Sequence, residues 1–166
     1  MTTAPKPASL IKAPLRIRLR LELKAPAADV WSLVGNLARM SEYSAGLERV
    51  DAKTDAKGHC TEYTCHFKPM QAGEEGMVST DIMQWYEPNR GWASHSATGD
   101  VFGLADDLHL VRLEPSAEGT LLTWDAYYQA QDLAMMTAHL QEALTDIGEN
   151  LLKRFGGRLI HCYVAE

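Results

Sequence analysis

The segment between Leu47 and Gln129 limits the possible folds more than any other part of this sequence. It holds six successive strand candidates, and the links between them contain glycine, proline or asparagine. A parallel crossover needs about a dozen or more residues, usually including a helix, and these links are too short for one. The sequence therefore predicts an antiparallel meander, with strands at residues 47–54, 59–68, 77–87, 90–98, 107–114 and 120–129.

Segments with clear hydrophobic periodicity lie on both sides of the meander. Residues 15–24 alternate leucine or isoleucine with arginine, glutamate or lysine, which is typical of a half-buried antiparallel strand. Near the other end, apolar side chains recur every three or four residues from Leu133 to Phe155, between a capping Asp132 and Gly156. This spacing predicts a long amphipathic helix over residues 132–156. Two short helices are predicted at residues 27–34, after Pro26, and at residues 37–43.

The chain length and composition fit one domain built from these elements. The chain has 166 residues, of which 46% are hydrophobic, and this is enough for a sizeable core. We expect an α+β domain over residues 15–156, with seven strands in the order β-αα-ββββββ-α. Residues 1–14 are expected to form a disordered leader and residues 157–166 a tail of undefined structure.

Several classes of protein are disfavoured by what the sequence contains. The formal charge is -6 without a run of like charges, so nucleic acid is not expected as a partner. No apolar run approaches the ~20 residues of a membrane span, and the N-terminus does not resemble a secretory signal, so we expect a cytoplasmic protein. Cys60, Cys65 and Cys162 form no zinc motif, and Cys60 and Cys65 should point to opposite faces of a strand. We therefore expect this protein to use neither a metal ion nor a cofactor.

Four short segments carry a resemblance to a known family. They are residues 24–31 (KAPAADVW), residues 40–43 (MSEY), residues 87–90 (EPNR) and the hairpin at residues 113–124. In this order and spacing they resemble the START-like (SRPBCC, Bet v 1-like) superfamily, in its polyketide cyclase/dehydrase and lipid-transport group. The resemblance covers about residues 15–156. It implies a helix-grip fold, in which a curved antiparallel sheet wraps the C-terminal helix and leaves an apolar cavity between them.

Within this superfamily, one segment is similar to the bacterial aromatic polyketide aromatase/cyclases. Residues 136–140 (MTAHL) resemble the start of their last helix, where the corresponding histidine faces the cavity. The resemblance therefore implies that His139 is a catalytic general acid and base for aldol cyclisation, chemistry that a histidine can supply near neutral pH. Residues 99–115 also resemble the coenzyme Q-binding branch, which implies a quinone as an alternative ligand.

Alternation along the strands suggests which side chains enter that cavity. On the strand at residues 90–98 the pattern does not decide between Trp92 and His95 as the inward residue. Asp107 and His109 share one face, where they could form a polar pair or stand in solvent around the cavity mouth. The predicted ligand-binding residues are Tyr63, Phe67, Trp124, Tyr128, Met136, Leu140, His109 and His95.

The expected function is binding of a small, flat hydrophobic molecule, because aromatic walls with isolated polar groups suit such a ligand. A polyketide-like ligand would be cyclised or aromatised, and an acyl carrier protein or polyketide synthase would then be a partner. Two alternatives are a non-catalytic carrier of a lipid or quinone and a protein-interaction module of the same fold. A homodimer is a further expectation.

Overall fold

A computed structural model describes residues 4–97 and 102–165 of the chain. It contains one antiparallel sheet, a short helix α1, a 3₁₀ helix after it and a long helix α2 in the predicted order, together with a strand and an N-terminal 3₁₀ helix that were not predicted. The strands are β1 (Leu15–Leu23), β2 (Leu47–Thr54), β3 (Cys60–Phe67), β4 (Val78–Glu87), β5 (Gly91–Ser96), β6 (Leu104–Pro115), β7 (Thr120–Ala130) and β8 (Gly157–Val164). Helix α1 spans Ala27–Val34, the 3₁₀ helix spans Leu37–Glu42, and α2 spans Leu133–Phe155.

The sheet has eight strands in the order β2-β3-β4-β5-β6-β7-β1-β8. The α+β helix-grip class is confirmed, but the predicted count of seven strands is wrong because β8 lies in the segment expected to be a tail. This strand pairs antiparallel with β1, from Leu23 opposite Gly157 to Ile17 opposite Val164. Gly157 has a φ of +117°, and a Cβ there would lie 1.9 Å from the Glu22 carbonyl oxygen, so only glycine fits this close approach.

The core lies between the concave face of the sheet and α2. On β1 the leucine alternation is confirmed, because Leu19, Leu21 and Leu23 are buried in the core. Of the charged residues between them, Arg20 is half-buried, and Glu22 is buried in an ion pair with Arg158. Helix α2 begins at Asp132, whose side chain accepts a hydrogen bond from the Met135 backbone nitrogen at 3.0 Å. Gly148 lets α2 approach β1, since a Cβ there would lie 3.1 Å from a Leu19 methyl carbon.

The convex face of the sheet carries a second, smaller cluster of buried residues. Leu108 and Leu110 belong to it, and Leu10 and Ile11 from the predicted leader pack against it. A 3₁₀ helix at Pro7–Ser9 precedes them. Asp125 also lies on this face, fully buried between Arg18 and Arg112 in ion pairs of 2.6 and 2.7 Å. Among the described residues, no helix has the length and apolar character needed to cross a membrane.

Candidate functional site

A cavity of about 140 Å³ lies between the concave face of the sheet and α2. An engineered apolar cavity of about 150 Å³ binds benzene, so this volume admits roughly one aromatic ring. Most of the lining is apolar or aromatic, and it comes mainly from β3, β6, β7 and α2. Every predicted site residue except His95 is among the lining residues, namely Tyr63, Phe67, Trp124, Tyr128, Met136, Leu140, His109 and His139.

His95 does not line the cavity, and its prediction as a ligand-binding residue is corrected. Strand β5 turns Trp92, Ser94 and Ser96 toward the core, so His95 lies on the opposite face. The indole Nε1 of Trp92 donates a hydrogen bond to the Val34 carbonyl oxygen at 3.0 Å. This contact with the end of α1 fixes which face of β5 is buried, a choice that alternation alone left open.

Aromatic rings in edge-to-face contact support the cavity wall: Tyr63 and Trp124 line the cavity, and Trp92 packs between them. Tyr63 lies 6.2 Å from Trp92, and Trp92 lies 5.3 Å from Trp124, measured between ring centroids. Such arrangements stabilise aromatic pairs beyond their buried area. The Tyr63 hydroxyl is hydrogen-bonded to the Ser94 hydroxyl at 2.7 Å. The wall is therefore held in place before any ligand arrives.

A buried carboxyl group, that of Asp81, faces the cavity from β4. The residue is 9% exposed, and none of the hydrogen bonds in the described part of the chain reaches its side chain. Burial, together with the nearby Asp107 carboxyl, raises the pKa of Asp81 from 3.8 to about 7. Asp81 is thus an acid that can exchange a proton near neutral pH.

Asp107 and His109 lie beside this group on β6 and form a polar pair in the cavity wall. The Ser96 backbone nitrogen donates to both carboxyl oxygens of Asp107 at 3.1 Å. Burial raises the pKa of Asp107, and the His109 ring opposes this rise. Of the two arrangements left open by the sequence, the structure shows the polar pair, with Asp107 buried and His109 half-buried in the cavity wall.

The protonation state of His109 follows from its partner Trp124. The indole Nε1 of Trp124 donates a hydrogen bond to His109 Nδ1 at 3.1 Å, and only an unprotonated nitrogen can accept it. Burial also lowers the pKa of His109, although Asp107 acts in the opposite direction. The ring is therefore neutral with its proton on Nε2, which makes Nε2 a hydrogen-bond donor.

His139 lies at the mouth of the cavity on α2. Its side chain is exposed to solvent on one side, and its ring stacks on Phe102 with the centroids 6.3 Å apart and an interplanar angle of 25°. Phe102 in turn meets the edge of Phe67 at 5.4 Å. These three rings border the entrance. Within the described residues, no hydrogen bond orients the His139 ring.

Asp81 is the functional candidate that the sequence interpretation missed. Its position could have been found from Tyr63, because β3 and β4 pair with Tyr63 opposite Asp81, and opposite residues share a face of the sheet. Ser79, two residues earlier, lines the same cavity. In residues 4–97 and 102–165, no group of three histidine, cysteine, aspartate or glutamate residues is arranged to hold a metal ion.

Comparison with solved structures identifies proteins of similar fold at low sequence identity. A START superfamily protein from Mycobacterium smegmatis has a TM-score of 0.69 at 14% identity, covering 86% of this chain and 97% of its own. The XoxI protein from Bacillus cereus has a TM-score of 0.65 at 12% identity, covering 83% and 93%. Protein MLL2253 from Mesorhizobium loti has a TM-score of 0.63 at 17% identity, covering 83% and 95%. At these identities the matches establish the fold alone.

Sequence comparison adds the family. No curated protein matches the chain. The family model described as "Polyketide cyclase / dehydrase and lipid transport" matches residues 14–158, which is most of the chain. Family and fold together indicate a domain that binds a hydrophobic ligand. The chain belongs to the polyketide cyclase/dehydrase and lipid-transport family.

Proposed function

We propose that this protein binds a small, flat hydrophobic molecule, aromatic or polyketide-like, in the cavity and promotes its cyclisation or aromatisation. The observation that carries the proposal is the combination of an aromatic cavity with titratable groups at both its inner wall and its mouth. Because the volume admits roughly one ring, a longer ligand places one ring inside and extends past His139. An acyl carrier protein or polyketide synthase is the partner that would deliver such a chain.

The chemistry of this proposal is an intramolecular aldol reaction followed by loss of water. His139 takes a proton from a methylene carbon between two carbonyl groups, and the resulting enolate carbon forms a bond to a second carbonyl carbon. The oxygen of that carbonyl receives the proton from the His139 imidazolium and becomes a hydroxyl group, and loss of this hydroxyl with a neighbouring C–H proton then releases water and forms the carbon–carbon double bond. His109 supports this step because its neutral ring can donate a hydrogen bond from Nε2 to the carbonyl oxygen.

A second candidate is a non-catalytic carrier of a lipid or quinone. It is favoured by the exposure of His139 and by the lack of any hydrogen bond that orients its ring within the described residues, since a general base is usually held in place. The third alternative is an interaction module whose core is filled by its own side chains. A cavity of about 140 Å³ does not support this alternative.

Binding is tested first, by titrating naphthol into the protein and following tryptophan fluorescence. Trp124 lines the cavity, whereas Trp85 packs on the convex face. We expect a signal that disappears in Trp124→Phe and persists in Trp85→Phe. No affinity better than about millimolar for naphthol or other flat hydrophobic molecules would overturn the proposal.

Catalysis is tested next, with a poly-β-ketone mimic as substrate. His139→Gln should slow product formation by roughly 10²- to 10⁴-fold with little change in affinity. His66→Gln, a histidine on the outer side of β3, is the control and should leave the rate unchanged. Recovery of the mimic intact from the wild-type protein would favour the carrier. Light scattering on the same samples tests the expected homodimer.

A further inference from the structure

The polar part of the cavity wall has an unusual charge composition. Its carboxyl and imidazole groups on the sheet are those of Asp81, Asp107 and the neutral His109. Among the described lining residues there is neither a lysine nor an arginine. Cationic side chains that could offset the charges of these two carboxyl groups are therefore missing from the described lining.

Asp81 receives no hydrogen bond from any residue in the described part of the chain. Asp107, by contrast, is satisfied in part by the Ser96 backbone nitrogen. Asp81 is 9% exposed and lines the cavity. A largely buried carboxyl group without a hydrogen bond is costly. Because this carboxyl group lines the cavity, a ligand there can supply a hydrogen-bond donor to it.

We propose that this end of the cavity selects a hydrophobic ligand that carries a hydrogen-bond donor, an amine or a hydroxyl group, and rejects hydrophobic anions such as fatty acids. The proposal rests on the proposed binding function and specifies its ligand class. A donor group on the ligand satisfies Asp81, and a positive charge is further stabilised by the two carboxyl groups. A carboxylate or phosphate would instead face two acidic groups in a site of low polarity, where repulsion is strong.

Three probes with the same phenyl group and similar length test this selection. They are phenethylamine, phenethyl alcohol and phenylacetate, whose polar ends are cationic, neutral and anionic at pH 7.5. We expect phenethylamine to bind roughly ten- to hundredfold more tightly than phenylacetate, the factor expected for a hydrogen bond to a charged group, with the alcohol between them. Calorimetry or chemical-shift titration of the wild-type protein gives the three dissociation constants.

The variant Asp81→Asn then tests whether this residue is responsible for the preference among the three probes. The amide has nearly the same shape but no charge, so the preference for the amine over phenylacetate should fall at least about fivefold. Asp29→Asn makes the same chemical change on an exposed side chain of α1 and should leave the preference unchanged. If Asp81→Asn does not fold, the order of the three probes on the wild-type protein still decides the question.

The outcomes separate this inference from the proposed function. Equal binding of the three probes, or tightest binding of phenylacetate, would overturn the selection and leave the hydrophobic site intact. The same holds if naphthalene, a hydrophobic reference without a hydrogen-bond donor, binds and none of the three does. If neither naphthalene nor any probe binds, both the site and its selectivity are wrong.

Discussion

Replacing Asp81 by asparagine should change how the stability of the protein depends on pH. In the folded protein the pKa of Asp81 is about 7, whereas its ordinary value is 3.8. The folded state therefore binds more protons than the unfolded chain between these pH values. Because of this, the stability associated with Asp81 is greatest below about pH 4 and declines as the pH rises toward 7. A tenfold difference in proton affinity corresponds to ~1.4 kcal/mol, so ionising Asp81 lowers the free energy of unfolding by up to about 4 kcal/mol.

Urea unfolding of the wild-type protein and Asp81→Asn between pH 4 and pH 8 measures this effect. Asparagine lacks the ionisation, so the variant should gain stability relative to wild type as the pH rises, by about 2–4 kcal/mol at pH 8. Cys65 and Tyr63 also face the cavity but stay protonated over this range, because burial raises the pKa of Cys65 to about 12 and that of Tyr63 well above 10. Asp107 lies close to Asp81, and the loss of the repulsion between the two carboxyl groups in the variant is part of the expected difference. The free energy of unfolding of Asp29→Asn should change with pH in the same way as that of the wild-type protein. A pH-independent difference between wild type and Asp81→Asn would refute the reasoning.

Three further changes test the packing around the site. Asp125→Ala should lower the free energy of unfolding by about 2 kcal/mol, because it removes the buried partner of Arg18 and Arg112. A loss of less than about 0.5 kcal/mol in urea unfolding would contradict the described ion pairs. Gly148→Ala should stay within about 1 kcal/mol of wild type, since improved helix propensity offsets a tight contact with Leu19, whereas Gly148→Leu should cost about 1–3 kcal/mol in the same assay. A chain ending at Gly156 lacks β8, and its free energy of unfolding should be lower by more than about 3 kcal/mol, which corresponds to a fall of roughly 6–12 °C in Tm by calorimetry. An unchanged Tm would show that β8 does not contribute to stability.

The fold could be predicted wherever a segment carries its own periodicity. Strand β1 and helix α2 alternate apolar and polar residues at periods of two and about 3.6, so their buried faces were predicted correctly. Strand β8 has no such pattern, because it lies at the edge of the sheet and most of its side chains are exposed. Its position depends on the free edge of β1, more than 130 residues away along the chain. The local sequence pattern of β8 contains no information about this distant partner strand.

Strand alternation predicted that Tyr63, Phe67, Trp124 and Tyr128 face the cavity, and these residues line it. It failed where the regular period was broken or ambiguous. Cys60 and Cys65 are both buried in the same core, although an odd spacing predicts opposite faces. The register of β3 against β2 shifts between Cys60 and Glu62, and this irregularity turns Cys60 inward. His95 was misplaced for a different reason, since the buried face of β5 is set by the hydrogen bond from Trp92 to α1. Both errors come from contacts outside the segment itself.

Asp81 connects the stability of the fold with its proposed selectivity. An uncharged residue at this position would remove the cost of ionising a buried acid, so the fold alone gives no reason for aspartate here. No described residue donates a hydrogen bond to the Asp81 side chain, so its carboxyl group is free to accept one from a donor on a ligand. Ligand binding should therefore stabilise the wild-type protein more than Asp81→Asn, and the gap should widen as the pH rises above 7. If phenethylamine raised the Tm of both proteins equally at pH 8, the carboxyl group would have no part in recognition.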